Sequence, residues 1–404
     1  MRAILLTLAT ILCIHSGAGP AAAVQELLVG AEGNRLRRYD IDTIKNPPLN
    51  EDILIERASI DPNGRDINGQ ICLFPDGSGR FIAGEDTGQP TPPAGWGVFE
   101  ADGTQVGKLT ATYFVSGAEP FGCVFDPSGI LFTSEVGEQG FGTPNGQLIL
   151  WFPPYDQFPG LPGEYPNSNE PSTNFCKLAI DIGTAGSLAL DAQGRVYISS
   201  SSGLAVHRFS PPFPTSPDPD DGCGDTDALG SPLADSVNRE TLSAMGATTF
   251  TGLAIARNGN LYAASILTGE IGEYDLNGNL VRMILDPNES LLDPNGTNPF
   301  GTPQGLAVDS DGTLYYTDLD LVGTFPSLGP GPNGKIWRIR FDGANHPQTP
   351  QIVRQGLAFP DGLGVLPGDL GNNPPVPALP SWAFALLAWL LLGTGCWRLR
   401  VGRR

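Results

Sequence analysis

Leu188-Ala-Leu-Asp-Ala-Gln-Gly-Arg-Val-Tyr-Ile-Ser-Ser200 decides the fold: a short apolar strand, a turn carrying Asp and Gly, and at once a second apolar strand. The first of these strands recurs as Cys72-Leu-Phe, Cys123-Val-Phe, Leu253-Ala-Ile, Leu306-Ala-Val and Leu363-Gly-Val, so that the six copies are spaced 51, 65, 65, 53 and 57 residues apart. Turns such as Asp126-Pro-Ser-Gly129, Arg257-Asn-Gly-Asn260 and Asp309-Ser-Asp-Gly312 follow, and the second strand returns as Phe81-Ile-Ala-Gly-Glu85, Leu131-Phe-Thr-Ser-Glu135, Leu261-Tyr-Ala-Ala-Ser265 and Leu314-Tyr-Tyr-Thr-Asp318. A third strand opens on glycine, as in Gly97-Val-Phe, Gly203-Leu-Ala-Val-His-Arg-Phe and Gly334-Lys-Ile-Trp-Arg-Ile-Arg-Phe. A fainter fourth includes Leu280-Val-Arg-Met-Ile-Leu285 and Gln351-Ile-Val-Arg354. Self-similarity at this period marks a repeat architecture.

The sixth copy has its first strand at Leu363 and too little chain after it for the others. They stand at the opposite end: Leu28-Val-Gly-Ala-Glu32, Arg35-Leu-Arg-Arg-Tyr39 and Asp52-Ile-Leu-Ile-Glu56. A sheet assembled from both termini closes a ring and removes the exposed edges of an open array. The expected fold is therefore all-β, a six-bladed β-propeller over residues 24–370 whose N- and C-terminal strands share the last blade. The 53 glycines and 38 prolines of the chain, with its short punctuated apolar runs, suit many short strands.

The two ends read differently. Arg2, the apolar stretch Ile4 to Ile14 and the small residues Ala21-Ala22-Ala23 have the order of a secretory signal, predicting a signal peptide over 1–23 and a mature start at Val24. A Pro-rich linker at 371–381 leads to the apolar run Trp382 to Trp397, sixteen residues long, and then to Arg398, Arg400, Arg403 and Arg404. A transmembrane helix with its basic end inside and the body outside is the expectation for 382–404. All 43 acidic residues but only 18 of the 23 basic ones lie between Val24 and Pro380, giving that body a net charge of −25. Such a surface repels phosphate backbones and anionic headgroups, which argues against nucleic acid as a partner. Cys13 and Cys396 fall in the two end segments. Cys72, Cys123, Cys176 and Cys223 remain, an even number that suits disulfides in an oxidising compartment. Cys176 begins the strand after the first of two long insertions and Cys223 sits in the second, and the two are paired here, while Cys72 and Cys123, at equivalent positions on first strands of adjacent blades, could bridge or simply pack.

Glu32-Gly-Asn-Arg-Leu-Arg-Arg-Tyr-Asp40 and the recurrent strands resemble NHL-repeat propellers and, more loosely, the six-bladed gluconolactonase-like superfamily. Aligned second strands place Glu32, Glu85, Glu135, Ser200, Ser265 and Asp318 in one column. In NHL-like blades an acidic residue here braces the following turn through backbone hydrogen bonds, whereas carboxylates converging on a channel could instead hold calcium or a cationic ligand. Lactonases of the gluconolactonase family hold a divalent metal with one Glu, two Asn and one Asp. Pro360-Asp361-Gly362 is similar to their acidic ligand motif, but Pro303-Gln304-Gly305 stands where a Pro-Asn-Gly is expected, and Phe121 occupies the equivalent place in the second repeat. The resemblance thus implies a metal-dependent lactonase or esterase with only one ligand, Asp361, matched.

Other chemistry finds less support. His207 and His346 are read as surface residues, and no Gly-x-Ser-x-Gly elbow occurs. Gly329-Pro-Gly-Pro-Asn-Gly334 precedes a strand where a nucleotide fingerprint would open a helix, so it is read as a blade loop. Two insertions, 153–174 and 211–242, account for the 65-residue steps. The second contains Asp218-Pro-Asp-Asp-Gly-Cys-Gly-Asp-Thr-Asp227, where Asp220 and Asp225 have calcium-loop composition but not the EF-hand register, so that a solvated acidic loop is expected. Finally, Val376, Pro377, Ala378, Leu379, Pro380 and Trp382, followed by the apolar run and the arginines, resemble the IPTL-CTERM class of bacterial sorting signals. That resemblance implies an exosortase-type membrane protease as partner and a cell-surface or extracellular destination in a Gram-negative envelope. The overall expectation is a non-enzymatic binding or scaffold module, with no particular protein, carbohydrate or small molecule singled out.

Overall fold

The computed structural model describes residues 26–366 apart from 32–34, 46–50, 57–65, 87–94, 111–119, 137–145, 159–171, 219–222, 224–237, 247, 287–299 and 325–326. The expected signal peptide and sorting tail lie outside the described residues. Six four-stranded antiparallel sheets follow one another along the chain. Blade 1 is Asp66–Leu73, Phe81–Asp86, Gly95–Phe99 and Gln105–Leu109; blade 2 is Pro120–Phe125, Leu131–Glu135, Gln147–Trp151 and Phe175–Ala179. Blade 3 comprises Ala185–Leu190, Val196–Ser200, Ala205–Ser210 and Asn238–Thr241, and blade 4 comprises Phe250–Ile255, Leu261–Ser265, Ile271–Tyr274 and Leu280–Leu285. Pro303–Val308, Leu314–Asp318, Gly334–Ile339 and Gln351–Leu357 form blade 5.

Blade 6 is the composite one. Gly362–Leu366 pairs antiparallel with Glu26–Ala31, setting Leu28 opposite Gly364 and Leu27 opposite Val365, and Arg35–Asp40 and Glu51–Glu56 complete the sheet. Each first strand contacts the first strands of both neighbouring blades, Gly362–Leu366 meeting Asp66–Leu73, so the circle is closed. This is a six-bladed β-propeller.

Alternation along the strands explains the burial. Successive side chains of a strand face opposite sides of its sheet, and each side of a blade is covered by a neighbour. Ile82 therefore packs towards blade 2 while Phe81 and Ala83 pack towards blade 6. The core accordingly divides into six apolar clusters, one at each blade interface, and the second strands of blades 2 to 5 are buried at every residue. The turns after the first strands share one device. The Oδ1 atoms of Asp126, Asp191 and Asp309 each accept the backbone N–H groups two and four residues on, at 2.8 to 2.9 Å, which is why these turns begin with Asp.

Near the axis the strands come closest. A glycine of every first strand lies against the backbone of the next blade's first strand: Gly69 on Phe121, Gly122 on Gly186, Gly186 on Thr251, Gly252 on Gln304, Gly305 on Asp361 and Gly362 on Gly69. A Cβ on Gly69 would stand 2.5 Å from the Phe121 carbonyl oxygen, and Gly69 also has a φ of +70°. Hydroxyls reinforce the contacts. Ser134 Oγ accepts from Gly122 N at 2.7 Å and donates to Gly186 O at 2.5 Å, and Ser199 Oγ donates to Thr251 O at 2.7 Å.

The insertions cover outer edges. Residues at both ends of the first insertion bond to the outer part of blade 1, with Lys108 N donating to Gln157 O at 3.0 Å and Ser172 N to Thr110 O at 2.8 Å. The second insertion bridges in parallel to the outer strand of blade 2 through Asp218 N to Phe175 O and Cys223 N to Lys177 O. A disulfide between Cys176 and Cys223 ties it there. Cys72 and Cys123 also form a disulfide, joining the first strands of blades 1 and 2. Three details differ from expectation. His207 is buried, not on the surface, because the outer strand of blade 3 covers it and Thr241 Oγ1 lies 3.0 Å from its Nδ1. Part of the glycine- and proline-rich loop at 329–334 is a strand, since Ser327–Pro330 pairs with Leu321–Thr324 in an added hairpin. Cys72 and Cys123 are not in strictly equivalent register, because Cys72 faces the second residue of its neighbouring strand, Ile82, and Cys123 the third, Thr133.

The axial contacts set a prediction. Gly252→Ala is expected to destabilise the protein by about 1 to 3 kcal/mol in urea unfolding, as overpacking does, whereas Val281→Ala on the outer strand, at a residue 53% exposed, is expected to stay within about 0.5 kcal/mol. Equal effects would show that the inner ring is not tightly packed.

Candidate functional site: the central channel

The first strand stands at one end of its sheet in all six blades, leaving one backbone edge of each unpaired within its sheet. Unpaired backbone groups away from bulk water need partners, and on blades 2 and 3 a side chain supplies them. Gln70, from blade 1, donates Nε2 to Leu188 O at 3.0 Å and accepts from Leu188 N at 3.0 Å and from Cys123 N at 3.2 Å. Its carboxamide acts as a short piece of strand paired with the edge of blade 3, and it links three consecutive blades.

The starts of the first strands carry the residues singled out for metal binding. Asp361 is 1% exposed, and its Oδ1 accepts the Gly69 amide at 3.0 Å across the closure between blades 6 and 1. Gln304, at the start of the blade 5 first strand, is 8% exposed, and its Oε1 is buried without a hydrogen-bond partner. Phe121 is buried at the start of the blade 2 strand.

Two acidic residues of the aligned column, Asp318 and Glu85, are engaged within their own blades. Asp318, fully buried, accepts from Thr302 N at 2.8 Å, Asp320 N at 2.9 Å, Lys335 Nζ at 3.2 Å and Trp337 Nε1 at 3.3 Å. That is a turn brace with a cation added. Glu85, also fully buried, receives Gln105 Nε2 at 3.3 Å on both oxygens and lies 3.9 Å from Lys108 Nζ. Glu135 is buried at 2% exposure, and Ser200 Oγ accepts from Gly203 N at 3.2 Å. Among the described residues, no three His, Cys, Asp or Glu side chains come together in a way that could hold a metal ion. Glu32, Asp220 and Asp225 lie outside the described residues, as do Val376 to Trp382. Lys108 and Lys335 and the spanning role of Gln70 were not anticipated. For these two lysines the available signal was a lysine on an outer strand of the same blade, the third for Lys335 and the fourth for Lys108.

Beyond Gln70 the channel widens into a cavity of about 270 Å³, open to solvent and lined by residues of all six first strands. No charged side chain is among its lining residues. A second cavity, about 370 Å³, lies between the turns of blades 4 and 5 and is bordered by Arg257, Asp311 and Phe341. Its aromatic wall is already used, because Phe341 stacks on Tyr262 at 6.1 Å and carries the Arg282 guanidinium at 5.6 Å. Burial, followed by the Glu273 charge, pushes the Tyr262 hydroxyl up to about 12.

No protein-family model matches the sequence, and no curated protein matches it. Among solved structures the chain is similar to a protein of unknown function from Bacteroides caccae, 14% identical with a TM-score of 0.48, over 85% of this chain and 99% of that one. It is also similar to a gluconolactonase from Xanthomonas campestris, 13% identical with a TM-score of 0.41, over 73% and 83% of the two chains. An aldose sugar dehydrogenase from Streptomyces coelicolor, bound to PQQ, is 15% identical with a TM-score of 0.46, over 78% and 90%. At these values the likeness adds nothing to the fold assigned from the strand pairing.

Gln70→Ala leaves the Leu188 edge without its side-chain partner, and a loss of about 1 to 3 kcal/mol is expected in urea unfolding. Gln70→Glu keeps the shape but removes the donor to Leu188 O, and it is expected to be at least as damaging. Wild-type stability in both variants would mean that the carboxamide is not part of the channel's structure.

Proposed function

We propose that this chain is an exported binding or scaffold propeller of the cell envelope or surface, not a channel-metal hydrolase. The observation that carries the reading is the Gln70 carboxamide bonded across blades 1, 2 and 3, together with the commitment of Asp361 Oδ1 to the Gly69 amide. A calcium ion takes six to eight oxygens. Of the other positions implied by the lactonase resemblance, one holds Phe121, which offers no oxygen, and one holds Gln304, whose carbonyl supplies a single oxygen, so the oxygens placed around Asp361 fall short of such a set. The unpartnered Oε1 of Gln304 favours the alternative, a metal-dependent lactonase or esterase.

Two disulfides support export, because such bonds persist in oxidising compartments. Among the described residues no helix is long and apolar enough to cross a membrane. The proposed span, 382–404, is the C-terminal run with its arginines, held in the membrane until an exosortase-type protease cuts near Val376 to Trp382.

Two experiments test the reading. Protein treated with calcium or zinc and dialysed is expected to retain no tightly bound ion that Asp361→Asn abolishes, and to hydrolyse no member of a lactone panel. One tightly held ion per chain with turnover, both lost in Asp361→Asn, would overturn the binding-module reading. In cells, removing residues 371–404 is expected to shift the protein from the membrane fraction to the soluble exported fraction, and unchanged membrane retention would remove the anchor.

A further inference from the structure

The second residue of the second strand is a tyrosine in blades 3, 4 and 5: Tyr197, Tyr262 and Tyr315. In blades 3 and 5 its hydroxyl donates to the turn aspartate of the same blade, Tyr197 to Asp191 Oδ2 at 2.9 Å and Tyr315 to Asp309 Oδ2 at 3.1 Å. Blade 4 breaks the pattern. Ala256 stands where those aspartates are, and the nearby carboxylate of Glu273 is taken by Asn258, Asn260 and Arg282. Tyr262 is 3% exposed, Arg282 donates to its oxygen, and among the described residues its proton has no acceptor. Burial, then the Glu273 charge, keep that proton on, so the group is a donor throughout the ordinary pH range. A buried donor left unsatisfied is costly, and a ligand that accepts from it recovers that cost.

Tyr262 borders the cleft of about 370 Å³ between the turns of blades 4 and 5. That volume lies at the low end of the range for small-molecule sites, roughly 300 to 1,000 Å³. The rim adds hydrogen-bonding groups of both kinds. Arg257 gives one nitrogen to Asp311 O at 3.2 Å, Asp311 holds Lys45 through Oδ2 and leaves Oδ1 over, and the Asn345 side chain makes no hydrogen bond among the described residues. Donors and acceptors side by side are matched by hydroxyls, which do both. Charge selects no ion, because Arg257, Arg282 and Lys45 nearly balance Asp309, Asp311, Asp342 and Glu273. Phe341 is already stacked on Tyr262 and carries Arg282, so the cleft offers hydrogen bonds more than a free ring face.

We propose that this cleft binds the ring of an uncharged sugar, one hydroxyl accepting from Tyr262 and its neighbours bonding to Arg257, Asp311 and Asn345. The proposal rests on the binding-module reading and supplies its ligand class. The full-length protein is titrated, by ligand-observed NMR, with the methyl α-glycosides of glucose, galactose and mannose, and with glucuronate and glucosamine as charged counterparts. At least one glycoside is expected to bind saturably, one per chain, and more tightly than either charged sugar. Tyr262→Phe removes the donor, and Ala256→Asp gives the hydroxyl the acceptor that blades 3 and 5 have; each is expected to weaken binding about fivefold, the worth of one hydrogen bond. Tyr197→Phe, the same change in blade 3, is expected to leave binding unaltered. If Ala256→Asp does not fold, the two Tyr→Phe variants decide. No saturable binding of any of the three glycosides overturns the proposal. So does binding unchanged in Tyr262→Phe or weakened equally in Tyr197→Phe, either of which places the sugar elsewhere, or a charged sugar that binds as tightly. Lactone turnover lost in Asp361→Asn would defeat the binding-module reading by itself, whatever the titrations show.

Discussion

The structure depends on how closely six strands can approach one axis. Each first strand must pass the next at a distance that leaves no room for a Cβ, and a glycine stands at that point in every blade, from Gly69 round to Gly362. The contact is backbone on backbone, so its chemistry is the same at each step whatever the neighbouring side chains are. Where a hydroxyl is available, as at Ser134 and Ser199, it bonds across the joint. The closure between blades 6 and 1 follows the same rule with a carboxylate: Asp361 bonds to the Gly69 amide from the same turn of chain that brings Gly362 against Gly69. Closure is otherwise the weakest point of a ring, since it joins segments nearly the whole chain apart. Here it is secured twice, by the pairing of Gly362–Leu366 with Glu26–Ala31 and by this carboxylate.

Everything outside the axis follows from strand alternation and edge protection. With both faces of a blade covered, six separate apolar clusters replace one central core, and none is complete without two blades. Outer strands are the remaining liability, because a free strand edge invites pairing with another chain. Blades 1 and 2 meet it with the two insertions, each reaching back from the following blade, and the Cys176–Cys223 disulfide fixes the second. The long 65-residue steps are thus edge covers as well as loops.

What was legible in the sequence is whatever repeats. Strand order could be read because six copies vote on it, the split blade because the sixth copy lacks its outer strands, and the turn chemistry of Asp126, Asp191 and Asp309 because it is local. What was not legible depends on a single copy or on register. Gln70 has no counterpart performing its role in another blade, and its partners Cys123 and Leu188 are 53 and 118 residues away. The acidic column was visible, but its lysine partners stand on strands whose pairing had to be known first. His207 looked exposed because its covering strand, Asn238–Thr241, follows a long insertion and carries no apolar pattern. The glycines of the axial ring lay one residue before the recurring Leu in three copies and were hidden by reading the apolar residues alone.

The same edge problem divides the channel into two chemically different halves. Near the strand starts, the converging backbones are solved by polar side chains: half-buried Gln70 pairs with two blades and buried Asp361 with one amide. A metal centre would have to share Asp361 Oδ1 with the Gly69 amide, and Phe121 offers it no oxygen. Towards the strand ends backbone still meets backbone where Gly364 lies on Ile71, but the axis itself is open. Space opens there, and the side chains that border it are aliphatic because the same residues also help to seal the blade interfaces. The mouth is therefore a by-product of packing six sheets round an axis, and no charged side chain lines it on a protein that is otherwise strongly acidic.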